Sequence, residues 1–292
     1  MLRKKIQKGI FSASLGSLWW GVLGTYYFQY IAFAGTLEVV IHRCIWTSLI
    51  LLLTTILLNK WIIFKKIIFN KKKIIILFIT SFLIFGNWTT WIYAVSTNRI
   101  IDASYGYFIF PIINVFLGYL FLKEKLNQKR VISIFIVVCS SIYLAFNFEN
   151  FPWVGLLVAF LWSFYNLLRK KINVDTDIGL FIESLFILPI ALTIFYFIVK
   201  NNFNDFTPSD PSIMFLLFLA GPMTVIPLFL YIKGVELSGL GPSGMIFFIT
   251  PTSQFLLGYF YYNEPFTINK FISFIFIWIA VFIYMRDIYE KN

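Results

Sequence analysis

Residues 107–126 read YFIFPIINVFLGYLFLKEKL, and residues 247–266 read FFITPTSQFLLGYFYYNEPF. At a constant offset of 140, Phe108 meets Phe248, Pro111 meets Pro251 and Gly118 meets Gly258; Tyr119 then meets Tyr259, and Glu124 meets Glu264. Apolar segments match one another easily, but a proline, a glycine and a glutamate in step do not. The string marks a duplication, and the composition around it says of what.

Hydrophobic residues make up 60% of the 292 and charged residues only 13%, whereas soluble domains carry about 25% charged. So few charges cannot clothe a water-soluble fold of this size, so the solvent is a lipid bilayer. A helix needs about 20 apolar residues to cross one. Runs of that length fall near 10–31, 38–58, 74–94, 103–122 and 131–147, then near 152–169, 179–199, 212–232, 241–262 and 268–285. The offset therefore spans five helices, an odd number, which inserts the second half upside down. The expected fold is all-α and integral to the membrane, with ten transmembrane helices forming two inverted five-helix repeats. Residues 1–147 and 148–292 are the two units, joined as one transport body.

With both termini inside, 20 of the 24 Lys and Arg residues lie on the inner side and only Arg99, Lys200 and Lys270 on the outer, leaving Arg43 within a span. That asymmetry satisfies the positive-inside rule and accounts for the net charge of +11 without nucleic acid. Ala32-Phe33-Ala34 resembles a signal-cleavage site, but the apolar run before it is too long for a signal core, so an uncleaved first helix is expected. Cys44 and Cys139 sit in apolar runs with no metal-ligand spacing; no metal or cofactor is expected.

Inverted repeats of this kind build secondary transporters, whose substrate site lies near the midplane between the halves. The stretch EVVIHRCIW (38–46) holds Arg43, and the same offset carries it onto Glu183 in GLFIESLFILP. Intramembrane charges usually face a cavity and find partners. Arg43 and Glu183 thus read as a central pair or as two groups that engage a substrate; a structural ion pair, or snorkelling to an interface, also fits. His42, as a histidine, is a candidate for proton coupling, and Glu183 is a second; His42 also suits an interhelical hydrogen bond. Tyr107, Pro111 and Asn114 share one helix face with Gly118, and Phe247, Pro251, Gln254 and Gly258 repeat the pattern. Asn114 and Gln254 suit a polar substrate or interhelical glue. Pro111 and Pro251 each remove a backbone donor, which makes them hinge or gating candidates, or simple packing kinks. GNWTTWIY (86–93) adds Asn87 and Trp91, and LWSFYNLLRKK adds Tyr165, as pocket walls, with the basic end of the latter reading as an inner anchor.

At EVVIHRCIW, GNWTTWIYAV, DASYGYFIFPIINVFLGYLFLKEKL, IGLFIESLFILP and FISFIFIWIAVFIY, the chain resembles the RarD-like branch of the EamA group in the drug/metabolite transporter superfamily. The resemblance runs from about residue 8 to 286 and implies a ten-helix permease of the bacterial cytoplasmic membrane. It also implies functional polar residues at Glu38, His42, Arg43, Asn87, Tyr107, Asn114 and Glu183. The chain departs from the RarD-like pattern at Ile246–Phe248, with Gln254 following the proline, so the second-half wall is expected to differ. The reading that results is a secondary carrier for a small polar or amphipathic metabolite, carboxylate-bearing or zwitterionic, such as an amino acid. A chloramphenicol-type drug exporter is the alternative. No GxxxxGK[ST], HExxH or GxSxG string occurs, which leaves an intramembrane enzyme without its usual machinery; a channel or a non-transporting subunit are the other rivals.

Overall fold

Residues 2–97, 100–146, 152–261 and 268–291 are described by the computed structural model, so Arg99 and Glu264 lie outside the described residues. Every regular element among those residues is helical. In chain order they are α1 (Leu2–Trp19), a π-helical turn (Trp20–Gly24), α2 (Thr25–Tyr30), a 3-10 turn (Ala32–Ala34), α3 (Thr36–Leu57), α4 (Trp61–Ile68) and α5 (Lys71–Ser96). There follow α6 (Ile100–Leu122), α7 (Gln128–Ala145), α8 (Trp153–Ile172), α9 (Thr176–Lys200), α10 (Pro211–Ser238), α11 (Leu240–Ile246), α12 (Ile249–Phe260) and α13 (Ile268–Lys291).

Among the described residues, seven helices are long and apolar enough to cross a membrane: α3, α5, α6, α7, α9, α10 and α13. The other three runs expected from the sequence fall on α1 to α2, on α8, and on α11 with α12. The first opens on RKKIQK, the second ends on RKKI, and the third is broken in two. Large apolar side chains such as Phe11, Phe135 and Phe282 face outward, as a lipid solvent allows.

Local chemistry sets the helix ends. Asn70 and Asn127 accept the amide hydrogens of Lys73 and Arg130 and so cap α5 and α7. Asp210 caps α10 ahead of Pro211. Gly239, at φ +100°, turns the chain from α10 into α11 where a side chain would be strained. The break between α11 and α12 has a simple cause. Pro251 carries no N–H, and its ring crowds the carbonyl four residues back, which is that of Phe247; Thr250 N–H takes that carbonyl instead, at 2.8 Å. Pro111 instead lies inside the continuous α6.

Contacts between helix ends sort them into two groups. At one end Lys60 pairs with Asp177, Arg130 with Asp287 at 2.8 Å, and Lys129 with Glu290 at 2.7 Å. At the other, Glu38 receives the Asp205 and Phe206 amides, and Tyr27 O–H donates to the Leu216 carbonyl at 2.7 Å. The first group is called the basic end below, the second the far end. α6 and α8 approach so closely that a Cβ at Gly106 would overlap the Gly155 carbonyl, the small-residue contact that packs helices in lipid.

Candidate functional site: an aromatic chamber around Arg43

The π-helical turn at Trp20–Gly24 widens the first helix where it meets α12. Such turns recur at functional sites, and Trp20 and Gly24 both line a central cavity. Arg43 from α3, Asn87, Trp88 and Trp91 from α5, Tyr107 from α6, and Gln254 from α12 complete much of its wall. Five residues expected from the sequence are thus brought together: Arg43, Asn87, Trp91, Tyr107 and Gln254. The cavity volume is about 60 Å³, room for a few water molecules.

Arg43 is 4% exposed and reaches the chamber through packing rather than ion pairing. Its Nε donates to Thr224 Oγ1 at 3.0 Å, which in turn donates to the Ala220 carbonyl. The guanidinium lies over two rings, 4.5 Å from the centre of Phe28 and 4.7 Å from that of Trp88, where the ring faces attract a cation. The ionisable groups within electrostatic reach are Cys44, Tyr107 and Tyr27. No carboxylate pairs with Arg43 among the described residues.

Glu183 lies elsewhere. Its Oε1 accepts from Thr80 at 2.6 Å, its Oε2 from Tyr165 at 3.0 Å, and Arg169 stands 3.6 Å away. The central Arg43–Glu183 pair is therefore replaced by an Arg169–Glu183 pair, and the reason is geometric. Arg43 and Glu183 are each the eighth residue of their helix, but α3 and α9 are antiparallel neighbours. Glu183 is held by Thr80 while Arg43 lies over Trp88, eight residues further along α5, so at 1.5 Å rise per residue the two charges differ in depth by about 12 Å. Equal register on antiparallel helices means unequal depth. Glu183 instead borders a smaller void with Cys44, Thr47 and Ser184.

The remaining candidates separate as follows. Tyr165 serves Glu183 rather than the chamber. Asn114 is fully buried on α6, against Gly244, and neither of its polar atoms has a hydrogen-bond partner among the described residues. His42 takes the Trp46 indole N–H on Nδ1 at 3.1 Å, and its Nε2 lies 3.6 Å from Glu38. Its ring packs on Phe206 at 4.7 Å, away from the chamber. Pro111 and Pro251 stand behind the wall, not in it.

Sequence reasoning missed three things. Trp162 on the chamber wall, with Tyr231 and Phe110 packed behind it and behind Phe247, is one: Phe110 and Phe247 lie 4.7 Å apart and Trp162 and Tyr231 5.6 Å apart. Arg169, read as part of an inner anchor, is 1% exposed and pinned over Gly179, where a Cβ would overlap its guanidinium. Glu124 is the third. Its two oxygens accept the Leu240 and Gly241 amide hydrogens at 2.8 and 2.9 Å, clasping the end of α6 to the start of α11.

The EamA-like transporter family matches this chain twice, at residues 7–146 and 152–286. The chain belongs to that family. It is 31% identical over 284 residues to Protein RarD of Escherichia coli (strain K12), covering 97% of this chain and 96% of that one. It is 33% identical over 287 residues to the uncharacterized transporter YojE of Bacillus subtilis (strain 168), covering 97% and 95%. A crystal structure of another protein superposes with a TM-score of 0.68 at 15% identity, over 94% of this chain and 96% of that one, which speaks to the fold alone. This EamA-like, RarD-like chain is a multi-pass membrane transporter.

Proposed function

We propose that the protein is a secondary transporter that moves a small polar or amphipathic metabolite by alternating access. Ten crossings form two inverted five-helix repeats, 1–147 and 148–292, with both termini on the cytoplasmic side of a bacterial inner membrane. Contacts between counterparts support the repeat. Tyr107 packs on Phe247 at 5.6 Å, and Phe108 on Phe248 at 6.3 Å, as residues beside a twofold axis must. The basic end is then cytoplasmic and closed, through the Glu124 clasp, the Arg169–Glu183 pair and the Arg130–Asp287 pair. The chamber lies toward the far end, as expected of a carrier held in one of its two states.

The observation that carries this reading is Arg43: a buried cation kept at the wall of an aromatic chamber with no carboxylate to neutralise it among the described residues. Burying an unpaired charge costs several kcal/mol, and a recurring anionic guest would offset that cost. Asn87 and Gln254 donate to Val158 and Thr25, which leaves their carbonyl oxygens to orient a solute.

The test is uptake of a radiolabelled metabolite panel into proteoliposomes, wild type beside Arg43→Gln. Saturable, trans-stimulated uptake at carrier rates that the variant loses supports the proposal. No protein-dependent flux across the panel, or conductances of channel size, would overturn it.

A further inference from the structure

The chamber's charge is one-sided, and that asymmetry narrows the guest, given the reading of the chamber as the transport site. Two buried charges of opposite sign, Arg43 and Glu183, suggest a zwitterion. The geometry removes one of them. Both Glu183 oxygens are engaged by hydroxyls, its charge is answered by Arg169, and it borders a different void. Among the described lining residues of the chamber, Arg43 alone carries a charge.

A solute ammonium in this chamber would meet a guanidinium and no carboxylate. Aromatic faces can hold a cation, and those turned to Arg43 on Phe28 and Trp88 are taken; on the chamber's other rings an ammonium would still stand beside a guanidinium that no carboxylate neutralises among the described residues. A carboxylate, in contrast, finds a fork whose one hydrogen bond among the described residues is Nε to Thr224. The terminal N–H groups remain for the bidentate geometry that arginine favours. Contact with both rings also restrains the guanidinium before a guest arrives. Beyond it the walls are flat rings, Trp20 meeting Trp162 edge-on at 5.5 Å and Phe247 at 6.3 Å.

We infer that the chamber takes an organic monoanion with a flat aromatic body, its carboxylate seated on Arg43, and discriminates against the zwitterion and the cation of the same skeleton.

A matched series on the wild-type protein tests this without relying on a variant: 3-phenylpropionate, phenylalanine, phenethylamine and 3-cyclohexylpropionate. Detergent-purified protein is titrated with each, and the concentration giving half the maximal rise in unfolding temperature is compared, since a ligand stabilises the state it binds. The expected order places 3-phenylpropionate at least tenfold below phenylalanine and below the cyclohexyl analogue, with no rise from phenethylamine. Arg43→Lys, which keeps the charge and loses the fork, weakens the anion at least tenfold.

Phenylalanine equal to or better than 3-phenylpropionate overturns the charge rule, and an equal cyclohexyl analogue overturns the flat-body rule. In either case saturable proteoliposome uptake of other solutes leaves the transporter reading standing. Silence across the series overturns the inference too, and the transporter reading falls with it only if the uptake panel is also empty.

Discussion

Replacing Glu183 by glutamine is the sharpest probe of the buried charge cluster. Arg169 and Glu183 are 1% and 2% exposed, and their charged atoms lie 3.6 Å apart. At an effective dielectric of about 20, that separation corresponds to roughly 4–5 kcal/mol of Coulomb attraction. The amide also offers one acceptor where the carboxylate offered two, so one of the two charge-assisted bonds from Thr80 and Tyr165 is replaced by a weaker neutral one. Glu236, 3.9 Å from Arg169, compensates only in part because Lys233 already engages it at 3.4 Å. The expected cost is about 3–5 kcal/mol, the range seen when one member of a buried pair is removed. For a chain of this size it lowers the apparent unfolding temperature by about 6–20 °C, read by scanning fluorimetry in nanodiscs. The double variant Arg169→Met/Glu183→Gln should recover much of the loss, because no uncompensated cation is left. A Glu183→Gln protein that melts within 1–2 °C of wild type would refute the reasoning, as would a double variant whose loss equals the sum of the singles. Either result would return Glu183 to the role of a proton carrier, which tolerates an amide mimic of its protonated form.

The clasp at the basic end makes a local prediction: Glu124→Gln removes a charge-assisted acceptor from two amides, worth about 2 kcal/mol, so hydrogen exchange across residues 240–246 should quicken by about 30-fold, and unchanged exchange would contradict the clasp. Gly106→Ala forces α6 and α8 apart, at a cost of about 1–3 kcal/mol, and should depress the unfolding temperature while the analogous change at Gly35, where a Cβ meets nothing within 4 Å, acts only through its φ of +75°. Asn114→Leu removes an amide buried without partners among the described residues, which is near neutral or stabilising for this conformer; if Asn114 replaces its counterpart Gln254 at the chamber wall in the opposite state, uptake should fall at least tenfold while the melting temperature holds, and retained uptake would sink that exchange of roles.

Much of the architecture was legible in the sequence because lipid imposes a simple rule on length and polarity. The runs at α3, α5, α6, α7, α8 and α9 lay within three residues of the helices observed, and those at α10 and α13 began within one residue but ended six short. Five chamber residues were legible for a related reason: a polar or aromatic side chain in an apolar run has few places to go. Which partner it finds was not legible. Thr80 and Thr224, the partners of Glu183 and Arg43, are unremarkable threonines within apolar helices. Arg169 was hidden by its neighbours, since Lys170 and Lys171 make it look like one more surface anchor. Its one signal was Gly179, ten residues on, where the helix must leave room for a guanidinium. The offset of 140 was misleading about contact between Arg43 and Glu183, because equivalent positions on antiparallel helices lie at different depths.

The central claim is that the Arg43 chamber opens in turn to both sides of the membrane. Thr250→Cys places a thiol on the chamber wall, in a background of Cys44→Ser and Cys139→Ser, and an impermeant thiol reagent is applied to either face of oriented vesicles. The account predicts modification from both faces, with a gradient of transported solute shifting the balance between them. Modification confined to one face under every gradient would contradict it.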